Sequence, residues 1–241
     1  MRERGGMSVS SNEEREALES RIANSPGAIA YNRIRELDVS YGVFVSNYSE
    51  MQQLHKAINT PPVCFQLYDP ERKDLLESVH KQIQRHFANF LSSAMTLKDH
   101  SCIFIRNYDN TELGEEITRK VDLSFRENEL HHFIQKLRNY VLHCKMPFAT
   151  QTLHFGKDIL SEMYLSKTSL LEWSGWDVLS TRYINNQSED ISFFFVAFSY
   201  HEVVTEFYSW LFPTVTALHQ NEIDRTSELI KMRNEMLEKS V

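Results

Sequence analysis

Cysteine is scarce in this chain: Cys64, Cys102 and Cys144 lie far apart and form no Cys-x-x-Cys pair. An odd, scattered set argues against a disulfide framework and against a zinc ribbon, and makes a reducing, cytoplasmic setting the expectation. Long apolar runs are also missing. The most hydrophobic stretch, Ile191 to Tyr200, meets His201 and Glu202 after about half the length that a bilayer-spanning helix needs, so no membrane partner is expected. Met1 to Asn12 contains no apolar leader core, and residues 1–10 fit no packing pattern and read as disordered. Positive charge is in deficit, with 26 Lys and Arg against 33 Asp and Glu and a formal net charge of -7. That balance argues against a dedicated DNA-binding domain but leaves room for a local basic surface that touches RNA. There is no internal repeat and no low-complexity tract. The scattered histidines show no metal-ligand spacing, so neither a metal nor another cofactor is expected.

What remains is a chain of 241 residues, 41% hydrophobic and 24% charged, long enough to bury a sizeable core. Its dominant signal is helical. A charged amphipathic helix begins at Ser11 or Asn12 and is interrupted by Asn24-Ser25-Pro26-Gly27; helical pieces follow around Ala28 to Leu37 and Ser46 to Ile58, the last stopped by Pro61-Pro62. Asp69 is a good N-cap with Pro70 at the first helical position. Leu75, Leu76, Val79, Ile83, Phe87, Phe90, Leu91 and Ala94 then recur at three and four, which predicts a long bundle helix to about Arg106. A shorter segment spans Thr111 to Phe125, and another helix runs from Glu127 to Lys145, ended by Pro147. The period then changes. Thr150 to Phe155, Gly156-Lys157-Asp158 and Ile159 to Leu165 read as a β-hairpin. A helix carrying Leu170, Leu171, Trp173, Trp176, Val178 and Leu179 comes next, then a loop over Asn185 to Asp190, then a helical C-terminal third with a break or kink at Pro213. The aromatic series from Phe194 to Phe212 fits a buried helix face better than a stacking platform. The expected fold is an all-α, multi-helix bundle with one small β-hairpin around residues 150–165, forming a single helical domain over 11–241.

The Glu127 to Lys145 helix carries the chemistry. At about 100° per residue, Leu130, Phe133, Ile134, Leu137, Val141 and Cys144 form a core-facing stripe, and His131, His132, Gln135, Lys136, Arg138, Asn139 and His143 fall opposite. Asn139 and His143 are four apart and within hydrogen-bonding reach. Arg138 and His143 are five apart and diverge by roughly 140°, so they could grip one phosphate only if a second copy of the helix approached from a dimer partner. Guanidinium and imidazole together suit phosphodiester cleavage beside a 2′-hydroxyl, which needs a proton acceptor and positive charge for the phosphorane.

The segment Leu137-Arg138-Asn139-Tyr140-Val141-Leu142-His143 resembles the R-x4-6-H motif of the HEPN superfamily, in which a polar residue, often asparagine, follows the arginine on a late helix of an all-α bundle. A second R-x4-H pair, Arg126 with His131, lacks that asparagine. The resemblance implies a HEPN-like core around 70–146 with a helical C-terminal extension, and a homodimer in which two motifs meet in a cleft. It implies a metal-independent endoribonuclease, such as a toxin or an abortive-infection effector of a defence system, acting on an RNA substrate. His143 would be the acid/base group, Arg138 the phosphate stabiliser, and Asn139 the group that orients the imidazole. The family's adenylylation-regulated branch carries a tyrosine two residues after the histidine, where this chain has Lys145. The alternative from the residues themselves is a non-catalytic helical interaction module, such as a defence-system subunit or an antitoxin, with Arg138 paired to Glu127 or Glu129 on the helix surface. A third reading is a small-molecule sensor with a pocket lined by Trp173, Trp176 and Phe198.

Overall fold

Capping side chains and prolines set most helix starts. The computed structural model describes residues 9–147, 149–155 and 159–238. The first eight residues of the segment read as disordered, and the Gly156-Lys157-Asp158 turn, lie outside the described residues; Val9 and Ser10 already belong to the first helix. Among the described residues the order is α1 (Val9–Ala23), α2 (Pro26–Ile58), α3 (Pro61–Gln66), α4 (Lys73–Ile105), α5 (Glu112–Val121), α6 (Glu129–His143), β1 (Ala149–Phe155), β2 (Ile159–Leu165), α7 (Lys167–Leu171), α8 (Val178–Asn186), β3 (Ile191–Ser192) and α9 (Phe193–Glu238). A single 3-10 turn, Pro70–Arg72, precedes α4, and Asp69 caps it by accepting from the Glu71 amide at 2.9 Å. The fold is mostly helical with a small antiparallel sheet.

Several boundaries differ from the sequence expectation. The two helical pieces expected between residues 28 and 58 are one helix, α2, whose buried residues Ala30, Leu37, Phe44, Met51 and Ile58 recur every seven positions. This stripe carries the helix through the β-branched and glycine residues of 39–45. The single helix expected across 170–179 is instead α7 and α8. Asp177 starts α8 by accepting from the Ser180 amide at 2.8 Å. At Gly175 a Cβ would lie 2.3 Å from the Trp173 ring, so only glycine lets that ring fold back over the connection. The hairpin gains a third strand: Ala149 opposes Leu165 and Phe155 opposes Ile159 across β1 and β2, while Tyr164 opposes Ser192 and Leu165 opposes Ile191 across β2 and β3. A two-residue strand carries no period for a sequence to reveal. The C-terminal helix continues through Pro213 rather than ending there.

The described residues form two compact units. One comprises those up to Asp38 and those from Ser209 onward; the other is Val39–Tyr208. In the first, a Cβ on Gly27 would lie 2.1 Å from the Glu222 carbonyl oxygen, so the start of α2 and the end of α9 approach more closely than a side chain permits, and the Ser25 and Thr226 hydroxyls meet at 2.9 Å beside that crossing. In the second, Phe44 of α2, Phe87 and Phe90 of α4, Phe133, Ile134 and Leu137 of α6, and Phe193 and Tyr200 of α9 are all buried. The hairpin is tied to the end of α2, where the Asn59 side-chain oxygen accepts from the Ser161 amide at 2.6 Å and His55 meets Glu162 at 2.8 Å. Among the described residues no helix is long and apolar enough to cross a membrane.

Candidate functional site

Helix α6, within the larger unit, holds the residues singled out by sequence. Asn128 caps it, its side-chain oxygen accepting from the Leu130 and His131 amides at 2.9 and 3.2 Å. Phe133, Ile134 and Leu137 are buried as their spacing predicts, and α6 packs on α4 and α8. The stripe is displaced toward its aromatic side. Leu130 and Val141 are only half-buried and Cys144 is exposed, while Tyr140 lies wholly inside, its ring 5.4 Å from Trp173 and 6.0 Å from Trp176. Phe133 stacks on Trp176 and Tyr183 in the same cluster. The two tryptophans therefore pack against α6.

Arg138 and Asn139 are half-buried neighbours, and Arg138 Nη1 donates to Asn139 Oδ1 at 3.4 Å. The Arg138 Nε is fully buried with no hydrogen-bond partner among the described residues. His143 sits exposed on the last turn, and no hydrogen bond or ion pair among the described residues ties it to Asn139 or Arg138. The expected Asn139–His143 bond is thus not formed; the amide oxygen accepts from the adjacent guanidinium instead. The structure places Arg138 with Asn139 and leaves His143 apart on the same helix. Nor does Arg138 reach the acidic side chains at the helix start: Glu129 accepts from Arg182 Nη1 at 3.4 Å and from Asn186 at 3.2 Å. Beyond His143, the Cys144 and Lys145 amides both donate to the Tyr140 carbonyl, closing the helix before Pro147.

The N-terminal turns of α6 differ from the polar face read in the sequence. His131 is buried at 6% exposure, its Nδ1 2.9 Å from the Tyr200 hydroxyl of α9. Burial, with smaller contributions from His132 and Lys98, pushes its pKa down to about 4, so the ring is neutral at physiological pH. His132 places Nδ1 3.0 Å from the Asp177 carboxylate and Nε2 3.0 Å from the Arg126 carbonyl. Burial raises the Asp177 carboxyl, but hydrogen bonds from His132 and Ser180 outweigh it and hold the group below its ordinary range. No spacing rule could have found these pairings, since Tyr200 and Asp177 come from distant segments.

Between α4, α6, α9 and a π-helical turn at Asp122–Arg126 lies a cavity of about 290 Å³. Its lining includes Lys98, Phe125, His131, Tyr200 and Phe207, and none of Arg138, Asn139, His143, Trp173, Trp176 or Phe198. Among the described residues no three His, Cys, Asp or Glu side chains are grouped to hold a metal ion. No family model, curated protein or solved structure matches this chain.

Proposed function

We propose that the chain is a HEPN-like, metal-independent endoribonuclease, a toxin or abortive-infection effector of a defence system, that acts on RNA as a homodimer. The observation that supports this reading is the state of Arg138. Its guanidinium is half-buried, fixed by Asn139 on one side and sealed from solvent at Nε, on the same helix as the exposed imidazole of His143. A guanidinium held before substrate arrives stabilises developing charge without reorganising in the transition state. In a two-fold assembly the His143 of one copy takes the proton of the 2′-hydroxyl, whose oxygen attacks phosphorus. Arg138 neutralises the phosphorane, and the 5′-oxygen departs with a proton from the second imidazole, leaving a 2′,3′-cyclic phosphate. Asn139 in this scheme positions the arginine rather than the histidine. Leu142 and Met146, both exposed beside His143, supply apolar surface for the contact between copies.

Purified full-length protein is expected to cut RNA in the presence of EDTA, leaving a 2′,3′-cyclic phosphate, and to spare DNA. His143→Ala abolishes cleavage, and Arg138→Ala weakens it by at least about a hundredfold through loss of transition-state charge. Both variants retain the wild-type helical spectrum because His143 is exposed and Arg138 lies at the edge of the buried stripe. Cleavage that persists in both variants, or unfolding of either, assigns the segment a structural role. The second reading, a non-catalytic interaction module such as an antitoxin or a defence-system subunit, is favoured by one observation: the three polar groups do not converge within a single chain.

A further inference from the structure

The cavity beside α6 is left unused by the ribonuclease reading. Its walls are chiefly apolar, with Leu97 and Ile105 from α4, Phe125 from the π-helical turn and Val204 and Phe207 from α9. An apolar cavity of about 150 Å³ is enough to hold benzene, so about 290 Å³ takes a bicyclic ring or a short acyl chain. π-helical turns widen a helix locally and recur at functional sites. Here the turn contributes Phe125 and Arg126 to the wall.

The charged side chains on this wall share a sign. Lys98 and Arg126 line the cavity and no aspartate or glutamate does. Arg126 is committed to Asp122, its Nη1 at 2.6 Å from the carboxylate. Among the described residues Lys98 has only the long contact with its exposed neighbour Asp99, at 3.9 Å, and it stands close enough to His131 to lower that imidazole's proton affinity. His131 adds a directed donor. The Tyr200 hydroxyl is fully buried and its only acceptor among the described residues is His131 Nδ1, so the phenol gives its proton to Nδ1 and the ring carries its own hydrogen on Nε2. That Nε2–H has no protein acceptor among the described residues. Ser101 and Tyr208 are bonded to each other, so this part of the wall is already satisfied.

We infer that this cavity binds a small apolar carboxylate, an aromatic or short-chain acid, with its ring or chain among Leu97, Phe125 and Phe207 and its carboxylate on Lys98 and the His131 Nε2–H. The absence of a lining carboxylate disfavours amines, and a neutral ligand would forgo the charge-assisted hydrogen bond that the ammonium offers. The assignment rests on the cavity alone and is independent of any ribonuclease activity.

Titration calorimetry of the full chain with naphthoate, naphthylmethanol and naphthylmethylammonium tests it, because the three probes share a ring system and differ in charge. Naphthoate is expected to bind at one site per chain, about tenfold or more tighter than the alcohol, with no measurable binding of the ammonium. Lys98→Met, at a partly exposed position where folding is preserved, weakens naphthoate about tenfold and leaves the alcohol unchanged. Equal affinity for the three probes, no saturable binding of naphthoate, or a Lys98→Met protein that binds naphthoate like the wild type overturns the proposal.

Discussion

His131 shows how a single side chain can belong to the core while its position on the helical wheel says otherwise. Neighbouring residues place it with His132 on the polar face; what buries it is Tyr200, 69 positions later in the chain. The consequence for stability has a definite sign. The folded pKa near 4 lies below the ordinary 6.5, so between those values the unfolded chain takes up a proton that the folded chain refuses. Stability is therefore full above about pH 6.5 and falls as pH drops toward 4, by on the order of 3 kcal/mol from this residue. The neighbouring His132 and Lys98 act on the ring in the same direction. Urea unfolding at about pH 7 and about pH 5 should show a steep loss in the wild type and a shallower one in His131→Gln. Parallel losses in the two proteins would mean that the imidazole is accessible to protons in the folded state. Of the candidate site, residue identity was legible and partnership was not. Arg138, Asn139 and His143 stand on one helix as their spacing requires, but the wheel offered Asn139 to His143, whereas the adjacent arginine claims it.

At the scale of elements, α6 was readable because its apolar residues recur at three and four and a cap residue precedes them. Those two features should also be separable by mutation. Leu137→Ala is expected to cost about 2 to 5 kcal/mol, since the side chain is wholly buried between packed helices. Asn128→Ala should cost only about 1 kcal/mol, the usual loss for an N-cap that satisfies amides of the first turn. Chemical denaturation of the two variants checks the ratio; equal costs would mean that the cap carries tertiary as well as local stability. Elements that were misread failed for physical reasons of their own. In α2 the seven-residue stripe from Ala30 to Ile58 was present in the sequence and would have revealed one helix across the β-branched segment. Glycine and tryptophan between α7 and α8 interrupt the helix in a way that helical periodicity masks. Strand β3 exists only because β2 offers an edge, which no local pattern records.

At the scale of the whole molecule, the all-helical character with one hairpin followed from composition and period, whereas the cavity did not, because it is assembled from α4, a π-helical turn, α6 and α9, none of which announces a recess on its own. The ribonuclease reading also makes a demand at this scale: two copies must meet across α6. Light scattering at micromolar concentration is expected to report a dimer, and a strict monomer would favour the interaction-module reading instead. The scarcity of cysteine acquires a use here. Cys64 is buried, and burial raises its thiol's pKa; Cys102 is exposed and lies on the cavity wall; and Cys144, also exposed, directly follows His143. The native chain thus carries one shielded thiol as an internal reference and two reactive ones as built-in reporters. Alkylation followed by peptide mass spectrometry would read cavity occupancy at one and contact between copies at the other, with no residue substituted.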